Sequence, residues 1–146
     1  NIYINGIDNE FIIIDINNGN IIKTYSDNFN LISKPFIIDK LIITGTNKGI
    51  YCLDINEYSN DEKFIKWHLY TDYSVIGDIL KINDNAIAFL ISLNGNIYAI
   101  NSKTGKEFMH FKINNASFTE APILKDKRLY FINKGIHSYY LGFNID

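Results

Sequence analysis

Cysteine occurs once in the 146 residues, at Cys52, so no disulfide can form within the chain. Its setting, Gly49-Ile50-Tyr51-Cys52-Leu53-Asp54, follows an apolar strand pattern and predicts a buried, inert thiol. Arginine also occurs once, at Arg128, and the formal net charge is -2. That balance leaves no basic footprint for nucleic acid. No run of about 18 apolar residues is present, so the segment holds no membrane-spanning helix. Helical periodicity is absent as well. The sequence opens at Asn1, without Met or a signal-like stretch, and runs at once into Ile2-Tyr3-Ile4. The expectation is a piece of something longer, with any signal peptide or lipid anchor outside it.

Catalytic patterns are missing in the same way. The Ser and Asp residues form no nucleophile arrangement, and no Gly-rich loop is available to cradle a phosphate. Asp15-Ile16-Asn17-Asn18-Gly19-Asn20 has the flavour of a calcium loop. However, its Gly comes one place early and Ser26 stands where a calcium-ligating Glu belongs, so a hairpin turn is expected. Of the three histidines, His68 and His110 fall at equivalent places in successive repeats. A metal pair is one reading of them, and packing along the strands is the other. Asn115-Ala116-Ser117 spells a glycosylation sequon, a triplet common by chance in an Asn-rich chain. No catalytic, cofactor or metal residue is assigned.

What is abundant is Ile and Asn, together roughly a third of the chain. With Lys, these are the residues an A+T-rich genome encodes most easily. Asn also suits turns, since it tolerates left-handed backbone and bonds to its own neighbours. Short Ile/Tyr/Phe/Leu runs recur between Asn, Asp, Gly or Lys pairs, and Asn5-Gly6, Asn18-Gly19 and Asn94-Gly95 read as hairpin turns. The aromatic content is 14%, most of it in predicted strands and therefore core. Tyr70, Tyr73, Tyr139 and Tyr140 are candidates for a protein-binding face.

The strands repeat. Ile2-Tyr3-Ile4, Leu41-Ile42-Ile43, Ala86-Ile87-Ala88-Phe89 and Leu129-Tyr130-Phe131 recur at about 40 to 45 residues. Each is followed by a second strand, and the first three by a third and a fourth. The units run 1–39, 40–85, 86–127 and 128–146, and the second carries an insertion, Glu57 to Glu62. Four short strands per period are the mark of a β-propeller blade. The expected fold is all-β: about three and a half four-stranded antiparallel blades in a single partial propeller. Such an arc leaves a face and edges open. The remainder of a seven- or eight-bladed ring would come from missing blades of the same chain or from a second copy.

One unit carries a family motif. Ala99-Ile100-Asn101-Ser102-Lys103-Thr104-Gly105-Lys106-Glu107-Phe108-Met109 resembles the pyrroloquinoline-quinone-type repeat, Ala-x-Asp-x-x-Thr-Gly-Lys-x-x-Trp. Ala99, Thr104, Gly105 and Lys106 match, Asn101 replaces Asp, and Met109 stands in the place of Trp. The first unit keeps Asp15 and Gly19 and has Lys23 for the Trp. The second keeps Asp54 and, past its insertion, Trp67. Pro35 and Pro122 resemble the proline of the last strand in each repeat. In this motif the Gly takes a left-handed turn, the Asp or Asn caps the turn amides, and the Trp docks on the neighbouring blade. Asp15, Gly19, Asp54, Trp67, Asn101, Thr104, Gly105 and Lys106 are therefore expected to be structural repeat corners.

Within that family the resemblance points to the non-enzymatic propellers of outer-membrane assembly. It implies a protein-binding scaffold without cofactor, on the periplasmic, luminal or extracellular side. The quinone-dependent dehydrogenases need a calcium set, a carboxylate base and often a vicinal Cys pair, none of which is legible in this segment. A dehydrogenase with its site outside the segment, or the sensor propeller of a membrane kinase, are the alternatives.

Overall fold

The computed structural model describes residues 1–5, 10–26, 33–54, 65–82, 87–92, 94–118, 122–126, 128–132 and 138–142. Within them lie fourteen strands. A first sheet holds β1 (Ile2–Asn5), β2 (Glu10–Ile14) and β3 (Ile21–Ser26). A second holds β4 (Phe36–Ile38), β5 (Leu41–Thr46), β6 (Gly49–Asp54) and β7 (Ile65–Tyr70). A third holds β8 (Val75–Ile82), β9 (Ile87–Ser92), β10 (Asn96–Asn101) and β11 (Glu107–Lys112). A fourth holds β12 (Ile123–Lys125), β13 (Arg128–Ile132) and β14 (Ser138–Gly142). Every pairing is antiparallel and joins strands adjacent in sequence, as blades of a propeller do. The insertion at 57–62, the Asn5-Gly6 turn and His137 lie wholly or partly outside the described residues.

The sheets are offset by one strand from the units counted in sequence. β4 closes the first unit yet pairs with β5, through Phe36↔Ile43 and Ile38↔Leu41. β12 pairs with β13 in the same way, through Ile123↔Tyr130 and Lys125↔Arg128. The chain therefore crosses between sheets after the outermost strand of each. Both short β4–β5 and β12–β13 turns hold an Asp in the left-handed region, Asp39 at φ 55° and Asp126 at φ 50°. Asp tolerates that conformation because its short polar side chain bonds locally. Pro35 and Pro122 each precede one of these inner strands, where no ladder amide is needed.

Three β-bulges fall at one equivalent place. The register shifts between Ile13 and Ile14, between Cys52 and Leu53, and between Ala99 and Ile100. In each case the outermost strand carries the extra residue: Ile22, Lys66 and Phe108. A bulge leaves that residue unpaired, and Ile22 (50%) and Phe108 (55%) are exposed.

Packing runs from sheet to sheet. Phe11 and Ile13 of the first sheet meet Ile42, Tyr51 and Leu53 of the second. Ile38, Ile43, Ile50 and Cys52, on the other face of the second sheet, meet Val75, Tyr98 and Ile100 of the third. Because β6 is covered on both faces, its first five residues are all buried. Phe118 and Phe131, both buried, continue the core toward the fourth sheet with ring centroids 5.5 Å apart.

Candidate functional site

The hairpin turns that leave β2 and β10 lie at equivalent corners of their sheets, and they carry motif residues. At the third-sheet corner the Asn101 side-chain oxygen accepts from the amides of Lys103 (2.9 Å) and Thr104 (3.0 Å). The Asn101 carbonyl accepts from Gly105 N–H at 2.8 Å, and Asn101 N–H donates to the Lys106 carbonyl at 2.8 Å. Thr104 Oγ1 accepts from Lys106 N–H at 3.3 Å. Gly105 sits at φ 70°, in left-handed backbone where a side chain is strained.

The first-sheet corner repeats this almost bond for bond. Asp15 Oδ1 accepts from Asn17 N–H at 2.8 Å, and the Asp15 carbonyl accepts from Gly19 N–H at 2.8 Å. Asp15 N–H donates to the Asn20 carbonyl at 2.9 Å, and Asn18 Oδ1 takes the part of Thr104, accepting from Asn20 N–H at 2.9 Å. Asn18 Nδ2 also donates to Asp15 Oδ2 at 3.2 Å. The Asp15 carboxylate is thus committed to its own turn, as expected of a hairpin. At the second corner, Asp54 pairs with Lys66 Nζ at 3.3 Å, and the residues beyond it lie outside the described ones.

Trp67 joins two blades. Its Nε1–H donates to the Ser102 carbonyl at 3.2 Å, across from the second sheet to the third. Its ring lies against Gly105, where an added Cβ would come within 2.5 Å of it. The register Cys52↔Trp67 matches Ala99↔Met109 and Ile13↔Lys23, so the three are structural equivalents. The sequence motif reveals the Trp and the Gly. It does not reveal the Ser102 carbonyl, because a backbone acceptor leaves no trace in residue type.

His68 and His110 are also equivalent, paired with Tyr51 and Tyr98. Each ring stacks on its tyrosine, at 5.7 and 4.6 Å between centroids. His110 Nε2 lies 3.0 Å from Asn96 Oδ1, whose Nδ2 donates to Asn94 at 2.7 Å. Burial, with Glu107 and Asp72 nearby, raises the Tyr98 pKa and keeps its phenol neutral. Among the described residues no group of three or more His, Cys, Asp or Glu is placed to hold a metal ion. Burial also pushes the Cys52 thiol up to about 12, helped by Asp54 and opposed by Lys66. That thiol is fully buried, as its strand pattern predicts.

The opposite end of the sheets is different in character. Tyr70, at the end of β7, is 66% exposed and sets its ring edge-on to His68 at 4.3 Å. Tyr73, in the link to β8, is 48% exposed, and Lys112 Nζ lies 6.0 Å from its ring centroid. The Tyr73 carbonyl accepts from Thr71 Oγ1 at 2.6 Å, which fixes the link. Two of the candidate tyrosines thus stand on the surface three positions apart in sequence. Tyr139 and Tyr140 lie in β14.

No protein-family model matches the sequence, and no curated protein matches it. Solved structures do match its fold. BamB from Moraxella catarrhalis superposes with a TM-score of 0.78 over 95% of this chain and 42% of that one, at 18% identity. The computationally designed Ika8 protein superposes with a TM-score of 0.70, at 13% identity, over 93% of this chain and 41% of its own. The designed Ika4 protein gives 0.69, at 12% identity, over 92% of this chain and 80% of its own. The chain thus spans less than half the length of BamB and of Ika8. At these identities the likeness establishes the partial β-propeller fold.

Proposed function

We propose that this chain is a non-catalytic propeller scaffold that holds a partner protein during outer-membrane protein assembly, on the periplasmic side. One observation carries the reading. Trp67 and Gly105, shared with the quinoprotein-type repeat, are committed to joining the second sheet to the third, whereas Tyr70 and Tyr73 are left on the surface at the other end. Tyrosine suits such a face, since it offers a rigid apolar ring with a polar tip. The superposition on BamB and the resemblance to outer-membrane assembly propellers both support it.

Capture with the purified chain as bait, from a periplasmic extract of the source cell, tests the proposal. A partner retained by the unaltered chain and lost with the double variant Tyr70→Ser, Tyr73→Ser is the expected result. Capture of no protein, together with dehydrogenase activity on added quinone and calcium, overturns it in favour of the enzyme reading.

A further inference from the structure

Asn-Gly pairs occur at 5–6, 18–19 and 94–95. Asparagine is among the thermolabile residues, and a following glycine lacks the Cβ that hinders attack on its side chain. The chemistry is intramolecular. The glycine amide nitrogen attacks the asparagine Cγ, the Cγ–Nδ2 bond breaks, and Nδ2 leaves as ammonia with the proton the amide gives up. The five-membered imide left behind takes up water and opens at either carbonyl, to aspartate or to isoaspartate. Nothing is oxidised or reduced, and water is the only co-reactant. In a folded chain the rate depends on whether the glycine nitrogen can reach Cγ.

The pair at 5–6 lies partly outside the described residues, and the other two differ on that point. Asn94 is half-buried and Gly95 is buried. Asn94 Oδ1 accepts from Asn96 Nδ2 at 2.7 Å, and the Gly95 carbonyl accepts from Ile113 N–H at 3.0 Å. A Cβ at Gly95 would run into the backbone oxygens of Ile113 and Ala116. Neighbouring backbone therefore crowds this pair and leaves no room for a ring to close. Asn18 and Gly19 are both exposed, and a Cβ at Gly19 would meet nothing within 4 Å. What holds them is local. Gly19 N–H donates to the Asp15 carbonyl at 2.8 Å, Asn18 Oδ1 accepts from Asn20 N–H at 2.9 Å, and Asn18 Nδ2 donates to Asp15 Oδ2 at 3.2 Å. Water replaces such bonds when a surface turn opens. Nor does the exposure depend on the corner being bare. Thr104, the equivalent of Asn18, is exposed although Trp67 roofs its corner.

We propose that Asn18 is a modification site, where the folded chain deamidates and the product loosens the first-sheet corner. Asp15 gives the change its effect. Once the Asn18 amide becomes a carboxylate, the donor to Asp15 Oδ2 is lost and two carboxylates face each other across the same gap. In isoaspartate the main chain runs through Cγ, which adds a carbon to the turn and pulls the bond from Gly19 to Asp15 out of register. The third-sheet corner is exempt, because there Thr104 caps with a hydroxyl.

Incubation of the purified chain in mildly alkaline buffer tests this, read by peptide mapping with mass spectrometry and by isoaspartate-specific methylation. In the folded chain Asn18 is lost while Asn94 stays intact. In the chain unfolded by denaturant the two are lost at similar rates. The unfolding midpoint of the aged, refolded sample falls, and Asn18→Asp reproduces part of the fall. Asn18→Thr, which copies Thr104, blocks the conversion at 18 and most of the fall. Loss of Asn94 as fast as Asn18 in the folded chain overturns the proposal, as does an intact Asn18 at a time when the unfolded chain has lost it. Conversion of Asn18 with an unchanged midpoint overturns the claim that the product loosens the corner.

Discussion

The turns at 15–20 and 101–106 are built from the same hydrogen bonds, yet one is covered and the other is bare. In both, an Asx side chain caps the turn, a glycine goes left-handed at φ 74° or 70° and donates its amide to the Asx carbonyl, and the Asx amide donates to the carbonyl of the residue after the glycine. Only the second is roofed by an indole, which seals Ser102 from solvent. The comparison separates what the turn needs for itself from what it offers a neighbour. Asp or Asn and Gly make the turn, and the absence of a Cβ on Gly also makes room for the ring.

Substitution at the two glycines breaks the pair apart most strongly. Gly105→Ala combines left-handed strain with expulsion of the indole and is expected to cost about 3 kcal/mol in denaturant unfolding. Gly19→Ala meets open space and should cost about 1 kcal/mol, from the backbone alone. Equal costs would show that Trp67 does not use Gly105 as its seat. Trp67→Phe keeps a ring but loses the donor to the Ser102 carbonyl, so a loss of about 1 kcal/mol is expected. Added to Gly105→Ala, it should cost little more, since the docked geometry is already gone.

Asp15→Ala and Asn101→Ala are expected to be close to one another, at roughly 1 kcal/mol or less, because each removes the same local caps. A much larger effect at Asn101 would mean that the cap also holds the Trp67 seat. The effect of Cys52 is confined to high pH. Its folded pKa of about 12 exceeds the ordinary 9.0, so the folded state keeps a proton that the unfolded chain gives up. This contribution to stability is full below about pH 9 and is lost as pH rises toward about 12. Unfolding midpoints measured through that window should fall in the unaltered chain and fall less in Cys52→Ala. Parallel slopes in the two proteins would refute the assignment.

The corners were readable in the sequence because their chemistry is local. Asp15, Gly19, Asn101, Thr104 and Gly105 form bonds within six residues, and residue type alone announces them. The match between Trp67 and Gly105 was legible only through the family motif, as the two are 38 positions apart in sequence. The phase of the sheets was not legible. β4 follows β3 in the chain, but its pairing with β5 depends on a crossover that no local pattern encodes. The bulges were hidden too, because Ile22 and Phe108 look like core residues in a strand and are in fact the unpaired ones. Among the tyrosines, composition could not separate the buried Tyr51 and Tyr98 from the exposed Tyr70 and Tyr73, since all four sit in or beside strands.

The bulge in β7 has a consequence for how the molecule comes apart. In a regular strand Ile65 and Trp67 would share a face. With Lys66 as the extra residue, Ile65 packs toward the first sheet, while Trp67 and Leu69 pack toward the third. One outer strand therefore fastens two interfaces at once. Were β7 to peel away, both would weaken together, and three sheets would open as a unit. In the language of repeat proteins, this rim strand links the contact of the first and second sheets to that of the second and third.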